Sequence, residues 1–199
     1  MKRTPMTHDR VFRDEDYAAR YAQQHQKMAE NLGRQVAKKL HSRGFQGGKI
    51  LDVGCGSGAT AIILAQAFPQ SEILGIDLSE PLLRLATQAA QATGLDDRIR
   101  FKTGDAEQMP YEDNSFDVAL SLNMVHIVER PVQMLDEIER ILAPDGSLFV
   151  VDLRRSWLGL FEREMKSSFT LEEAKTLLAQ SDLRAGSFSS SLIWWRFEV

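Results

Sequence analysis

Apolar residues along this chain follow two rhythms that take turns. Short apolar runs at 49–53, 72–76, 99–103, 116–122 and 147–152 read as strands buried on both faces. Between them apolar residues recur at helical spacing. Residues 14–41 carry Tyr17, Tyr21, Leu32, Val36 and Leu40 among charges and glutamines, and Gly44, Gly47 and Gly48 stop that helix. A second helix, 59–67, ends at Phe68-Pro69, because proline disfavours helix in the residue before it. Ser79 suits an N-cap with Pro81 in the first turn, and Leu82, Leu83, Leu85, Ala86, Ala89 and Ala90 form one apolar face before Gly94.

The helix predicted over 131–142 places Met134, Leu135, Ile138, Ile141 and Leu142 on one face. Pro144-Asp145-Gly146 then reads as a turn with glycine in the left-handed position. Thr170 and Glu173 form a capping-box signature that opens a helix to about Gln180. Two β-prone runs, 188–193 and 194–199, leave no room for a helix between them and predict an antiparallel end piece. Strand–helix alternation at this spacing predicts an α/β, Rossmann-like, doubly wound and mostly parallel sheet. The expected organisation is one domain over 1–199. Its parts are a tail and lid helix (1–44), a core (45–155), and a loop, helix and strand pair (156–199).

Composition narrows the partners. At 199 residues the chain buries a core without disulfides or metals, and its one cysteine, Cys55, excludes an internal disulfide. Four scattered histidines show no metal-ligand spacing, so no metal is expected. A net charge of −4 gives no general attraction to phosphate backbones, so no nucleic-acid partner is expected. The basic start MKRTPMTHDR is followed by charges where a signal peptide needs apolar residues, and no apolar run reaches a membrane span. A cytoplasmic location is the expectation.

The chemistry concentrates at 50–58, where an apolar strand breaks into Gly54, Gly56 and Gly58 before a helix. Glycines there let a ligand approach bare backbone, and Asp77, at the end of the next apolar run, suits two ribose hydroxyls. An adenosine-containing cofactor follows. Read as GCGSGA, the loop satisfies both a dinucleotide fingerprint and a sulfonium-nucleoside cradle. Asp52, just before the loop, is an added clue: a carboxylate there can order the turn, and a cofactor without a pyrophosphate tolerates negative charge where a dinucleotide is repelled.

Four blocks in order, LDVGCGSG (51–58), GIDLS (75–79), 104–128 and ERILAPDGSLFVVD (139–152), resemble the class I S-adenosylmethionine-dependent methyltransferases, in particular the type 11 group. The resemblance implies a seven-stranded sheet with an antiparallel last strand, S-adenosylmethionine as cofactor, and methyl transfer to a small-molecule acceptor. It implies cofactor contacts from Asp52, Gly54, Cys55, Gly56, Gly58, Asp77, Leu78 beside the adenine, Asp105 and Ala106 around the ring, and Asn123 at the mouth of strand four. It also implies that Tyr21, and Tyr17 on the same face, close the site from the lid helix, with core packing the other reading of both. His126 is the candidate general base, with packing against the cofactor loop as its other reading. Cys55 reads as a small filler of the turn rather than a nucleophile. Arg154 and Arg155, with Trp157, Leu158, Leu160 and Phe161, read either as an acceptor loop or as a solvated basic loop over a packed segment. Two alternatives stay open: a cofactor-bound scaffold without turnover, and a nicotinamide-dependent reductase, which the absent tyrosine-x-x-x-lysine pair disfavours.

Overall fold

A computed structural model of the protein describes residues 13–155 and 166–199. Its elements run α1 (Glu15–Ser42), β1 (Lys49–Val53), α2 (Ala59–Ala67), β2 (Glu72–Asp77), α3 (Glu80–Ala92), β3 (Ile99–Thr103) and β4 (Phe116–Leu122). There follow α4 (Pro131–Ile141), β5 (Leu142–Leu153), α5 (Leu171–Gln180), β6 (Ser187–Ser190) and β7 (Trp194–Glu198). The seven strands form one sheet in the order β3-β2-β1-β4-β5-β7-β6. Strands β1 to β5 are parallel, and β7 enters antiparallel between β5 and β6. The order reverses at β1 and β4, and ligands of such sheets bind outside the carboxyl ends of the strands at that switch.

Period-two alternation sorts the core into two layers. Ile50, Val118, Leu120 and Phe149 face α1 and α2, whose Val36, Leu40, Ala61 and Leu64 close that side. Leu51, Ala119, Leu148 and Val150 face α4 and α5, through Met134, Leu135, Ile138, Ala174 and Leu177. Local signals set the helix starts as read: Ser79 Oγ accepts from the Leu82 N–H, and Thr170 and Glu173 complete a capping box.

Two readings need correction. Leu142 does not end the fourth helix but opens β5, and the Pro144-Asp145-Gly146 turn lies inside that strand as an irregularity. Phe116 pairs with Leu142, whereas Val118 pairs with Ser147, so residues 143–146 bulge out of the ladder. Gly146 is not left-handed. It is small because a Cβ there would lie 2.7 Å from Leu142 Cδ1 and 2.9 Å from the Ala143 carbonyl oxygen.

Arg155 is no solvated loop residue. It is buried, and its guanidinium donates to both carboxylate oxygens of Glu173 (2.5 and 2.6 Å) and to the Ser168 carbonyl. Arg154 donates to the Ser191 carbonyl at the β6–β7 turn. Trp157, Leu158, Leu160 and Phe161 lie outside the described residues. No helix among the described residues is long and apolar enough to cross a membrane.

Candidate functional site

A cavity of about 840 Å³ opens at the carboxyl ends of β1, β2 and β4. Its floor is built from strand ends and the glycine turn; its roof is α1. That helix buries Ala18 and then nothing until Leu32, because the intervening stretch spans the cavity rather than protein. Tyr21, Ala22, His25, Met28, Ala29 and Leu32 face it.

The glycine turn is fastened from below. The N–H groups of Gly54 and Cys55 both donate to the Ile76 carbonyl (2.8 and 3.0 Å), and Gly58 donates to the Cys55 carbonyl. Gly56 donates to Asp77 Oδ2 at 2.9 Å, while Asp77 Oδ1 accepts from Ser79 at 2.9 Å. Asp77, not Asp52, therefore orders the turn. Each Asp77 oxygen keeps further lone-pair capacity for a hydroxyl donor. Gly54, Gly56 and Gly58 all sit at positive φ, a conformation an L side chain enters only under strain.

Asp52 is spent on none of this. It is 2% exposed, and its Oδ2 has no hydrogen-bond partner in the protein. Burial, and then the neighbouring Asp77 charge, raise its pKa to about 7. Burial also raises Asp77, opposed by the amides of Ser79, Gly56 and Leu78. The Cys55 thiol is pushed well up by burial and by both aspartates, so it is no nucleophile.

Asn123 sits at φ 60°, its N–H donating to the Val151 carbonyl at 2.7 Å, and its buried Oδ1 is likewise without a partner in the protein. At the far end Asp105 Oδ1 accepts from the Glu107 N–H, tightening the turn that presents buried Ala106. Leu78 stands 60% exposed on the cavity rim, an apolar surface suited to a planar ring. His126 is buried and lines the cavity; its Nδ1 lies 2.7 Å from Asp152 Oδ1, and its backbone N–H donates to Asp152 Oδ2. A carboxylate accepts, so Nδ1 carries a hydrogen and donates it to Asp152.

The structure thus gathers Tyr21, Asp52, Gly54, Cys55, Gly56, Asp77, Leu78, Asp105, Ala106, Asn123 and His126 around one cavity. Gly58 lies one residue below the rim as the N-cap of α2. Tyr17 is 39% exposed and does not line it. Sequence reasoning missed Asp152, His25 and the Glu107–Arg130 pair. Asp152 carries the same signal as Asp52 and Asp77, an acid at a strand end; His25 lies four residues beyond Tyr21, on one helical face. Glu107 and Arg130 join the turn at Asp105–Ala106 to the loop before α4, Arg130 Nε donating to Glu107 Oε2 at 2.5 Å. No local pattern announces that pairing. Among the described residues no group of three or more metal-ligating side chains occurs.

A family model described as a methyltransferase domain matches residues 45–189. The chain is 36% identical, over 112 residues, to phthiotriol/phenolphthiotriol dimycocerosates methyltransferase 1 of Mycobacterium ulcerans. That match covers 56% of this chain but only 40% of the relative, so the chain spans well under half of that protein's length. The fold is similar to a SAM-dependent methyltransferase from Aquifex aeolicus, with a TM-score of 0.68, 19% identity, and coverage of 81% of this chain and 87% of that one. It is also similar to the [4+2]-cyclase SpnF, with a TM-score of 0.66, 29% identity, and coverage of 76% and 56%. The chain belongs to the methyltransferase-domain family, within the class I S-adenosylmethionine-dependent group.

Proposed function

We propose that this class I family member transfers a methyl group from S-adenosylmethionine to a small-molecule acceptor bound under α1. One observation carries the choice of cofactor. The N–H groups of Gly54, Cys55, Gly56 and Gly58 are all engaged inside the protein, so these four offer nothing to a pyrophosphate. Of the residues that line the cavity, two carry a buried side-chain atom without a partner in the protein, Asp52 Oδ2 and Asn123 Oδ1, and both atoms are acceptors. Such a floor suits a cation and opposes a dinucleotide.

The residues fit that cofactor in their chemistry. Asp77 would hold the ribose hydroxyls with the lone pairs its two amide donors leave, Leu78 and Ala106 would flank the adenine, and Asp52 with Asn123 would take the ammonium. When bound, the sulfonium supplies an already activated methyl group. The chain's own work is then alignment, exclusion of water by α1, and proton removal. His126 is proposed as the group that removes it. Asp152 holds its Nδ1–H, orients the ring and would stabilise the imidazolium formed, as an acid behind a histidine does. The corresponding acceptor is one that must lose a proton, a hydroxyl or an amine.

Calorimetry with S-adenosylmethionine and with NAD tests the cofactor: heat with the first alone is expected, and heat with NAD alone would refute the proposal. Incubation with methyl-labelled cofactor and an acceptor panel tests the transfer. A second reading keeps the cradle but not the methylation. The likeness to a protein named as a [4+2]-cyclase favours it, since the same fold there carries another reaction. Tight cofactor binding without label transfer to any acceptor would select it.

A further inference from the structure

We infer that the acceptor is an aliphatic molecule without an anionic group, held between the roof helix and the loop that follows β4; this rests on the methyl-transfer reading above. The cavity has apolar side chains to which the cofactor gives no role. They include Met28 and Leu32 of α1, Leu122 at the end of β4, and Met124, Ile127 and Val128 beyond it. None of the six is aromatic. Such a wall suits a flexible chain or a saturated ring rather than a stacked planar one.

Met28 and Ile127 are the informative pair. Met124 and Val128 lean on the core layer under α4, and Leu122 leans on the layer under α2, so the protein itself holds these three. Met28 and Ile127 are also half-buried, yet among the described residues they belong to neither layer. They stand on different walls of the same space, one on the roof and one in the loop that carries His126. An aliphatic body lying between them removes both surfaces from water. Ile127 adjoins His126, so a body seated there leaves its head group beside the proposed base.

Charge decides what that head group is. Five carboxyl groups line the cavity, those of Asp52, Asp77, Asp105, Glu107 and Glu129. Its three basic side chains are each engaged: Arg130 Nε donates to Glu107, His126 Nδ1 to Asp152 and His25 Nδ1 to the Tyr21 carbonyl. Even with both histidines charged, acids outnumber bases five to three among the described residues. The cofactor's ammonium and carboxylate cancel, and its single sulfonium charge does not reverse the balance. A carboxylate or phosphate on the acceptor would therefore enter a field of its own sign. A hydroxyl meets no such penalty, and exposed Glu129, three residues beyond His126, draws in an amine.

Calorimetry on the full chain saturated with S-adenosylhomocysteine, near pH 7.5, tests this with four probes: octanol, octylamine, octanoate and hexanol. Octanoate should bind at least about tenfold more weakly than octanol and octylamine. Hexanol should bind about 15-fold more weakly than octanol, at about fourfold for each buried methylene lost. Met28→Gln and Ile127→Thr put polar atoms on the two walls. Each should weaken octanol about fivefold, while S-adenosylhomocysteine affinity stays within about twofold. Both positions lie outside the core layers, so the unfolding midpoints should match wild type. Octanoate as tight as octanol, affinity independent of chain length, or octanol unmoved by both substitutions would overturn the acceptor class and leave the cofactor reading in place. Failure of all four probes to bind the loaded protein would do the same. Failure of wild type to bind S-adenosylhomocysteine itself would overturn both.

Discussion

Replacing Asp52 with asparagine should make the cofactor-free protein more stable at pH 8 while spoiling its site. Asp52 is buried without a partner for Oδ2, and its pKa rises from an ordinary 3.8 to about 7. A carboxyl whose folded pKa is raised is protonated in the fold while already ionised in the unfolded chain. Its contribution is thus fully present below pH 3.8, is lost as pH climbs, and is gone above about 7. Each pH unit in that window is worth about 1.4 kcal/mol, so roughly 3 kcal/mol disappears between pH 5 and pH 8 at full effect. Relaxation and coupling to Asp77 reduce this to about 1–2 kcal/mol. Urea unfolding of apo wild type and Asp52→Asn at pH 5 and pH 8 measures it. The gap between the two proteins should widen in favour of the variant at the higher pH. Saturating S-adenosylhomocysteine should narrow it again, because its ammonium pairs with the ionised wild-type carboxylate and not with the amide. A gap that does not change with pH would refute the buried-acid reasoning.

Other substitutions separate fold from binding. Asp77→Ala leaves the Gly56 and Ser79 amides without their acceptor, so about 1–3 kcal/mol of stability should go together with most of the cofactor affinity, read by urea unfolding and calorimetry. Gly54→Ala would set a Cβ 2.0 Å from Met124 Sδ at φ 73°, and should destabilise the protein by about 2–4 kcal/mol in urea. Gly56→Ala meets nothing within 4 Å, so only its φ of 53° should tell, about 1 kcal/mol, while a larger residue there should block the cofactor in calorimetry. His126→Gln should lower turnover on a hydroxyl or amine acceptor by about 100-fold at nearly unchanged cofactor affinity, measured by label transfer against calorimetry.

The one-dimensional pattern carried most of the architecture because each element's cause is local. Ser79 caps α3 and Thr170 with Glu173 boxes α5 through atoms three residues apart, and the apolar runs of the central strands are visible in any window of six. It failed at Leu142–Gly146, where the reason is not local. The pairing of Phe116 with Leu142 draws the chain into β5 before the turn, and Gly146 is needed for its closeness to Leu142 rather than for its φ.

The division holds at the site as well. Residue order alone determined a glycine turn after one strand, an acid ending the next, and hence an adenosine-type ligand, since those groups lie within thirty positions of one another. Only the tertiary structure decided their duties. Asp77 fastens the turn while Asp52 keeps a bare oxygen, Asp152 reaches across to His126, Glu107 meets Arg130, and Arg155 is withdrawn into a buried pair with Glu173. Each depends on burial and on hydrogen bonds between distant segments. Such partners are fixed by how strands are ordered in the sheet, and no local stretch of residues encodes that order.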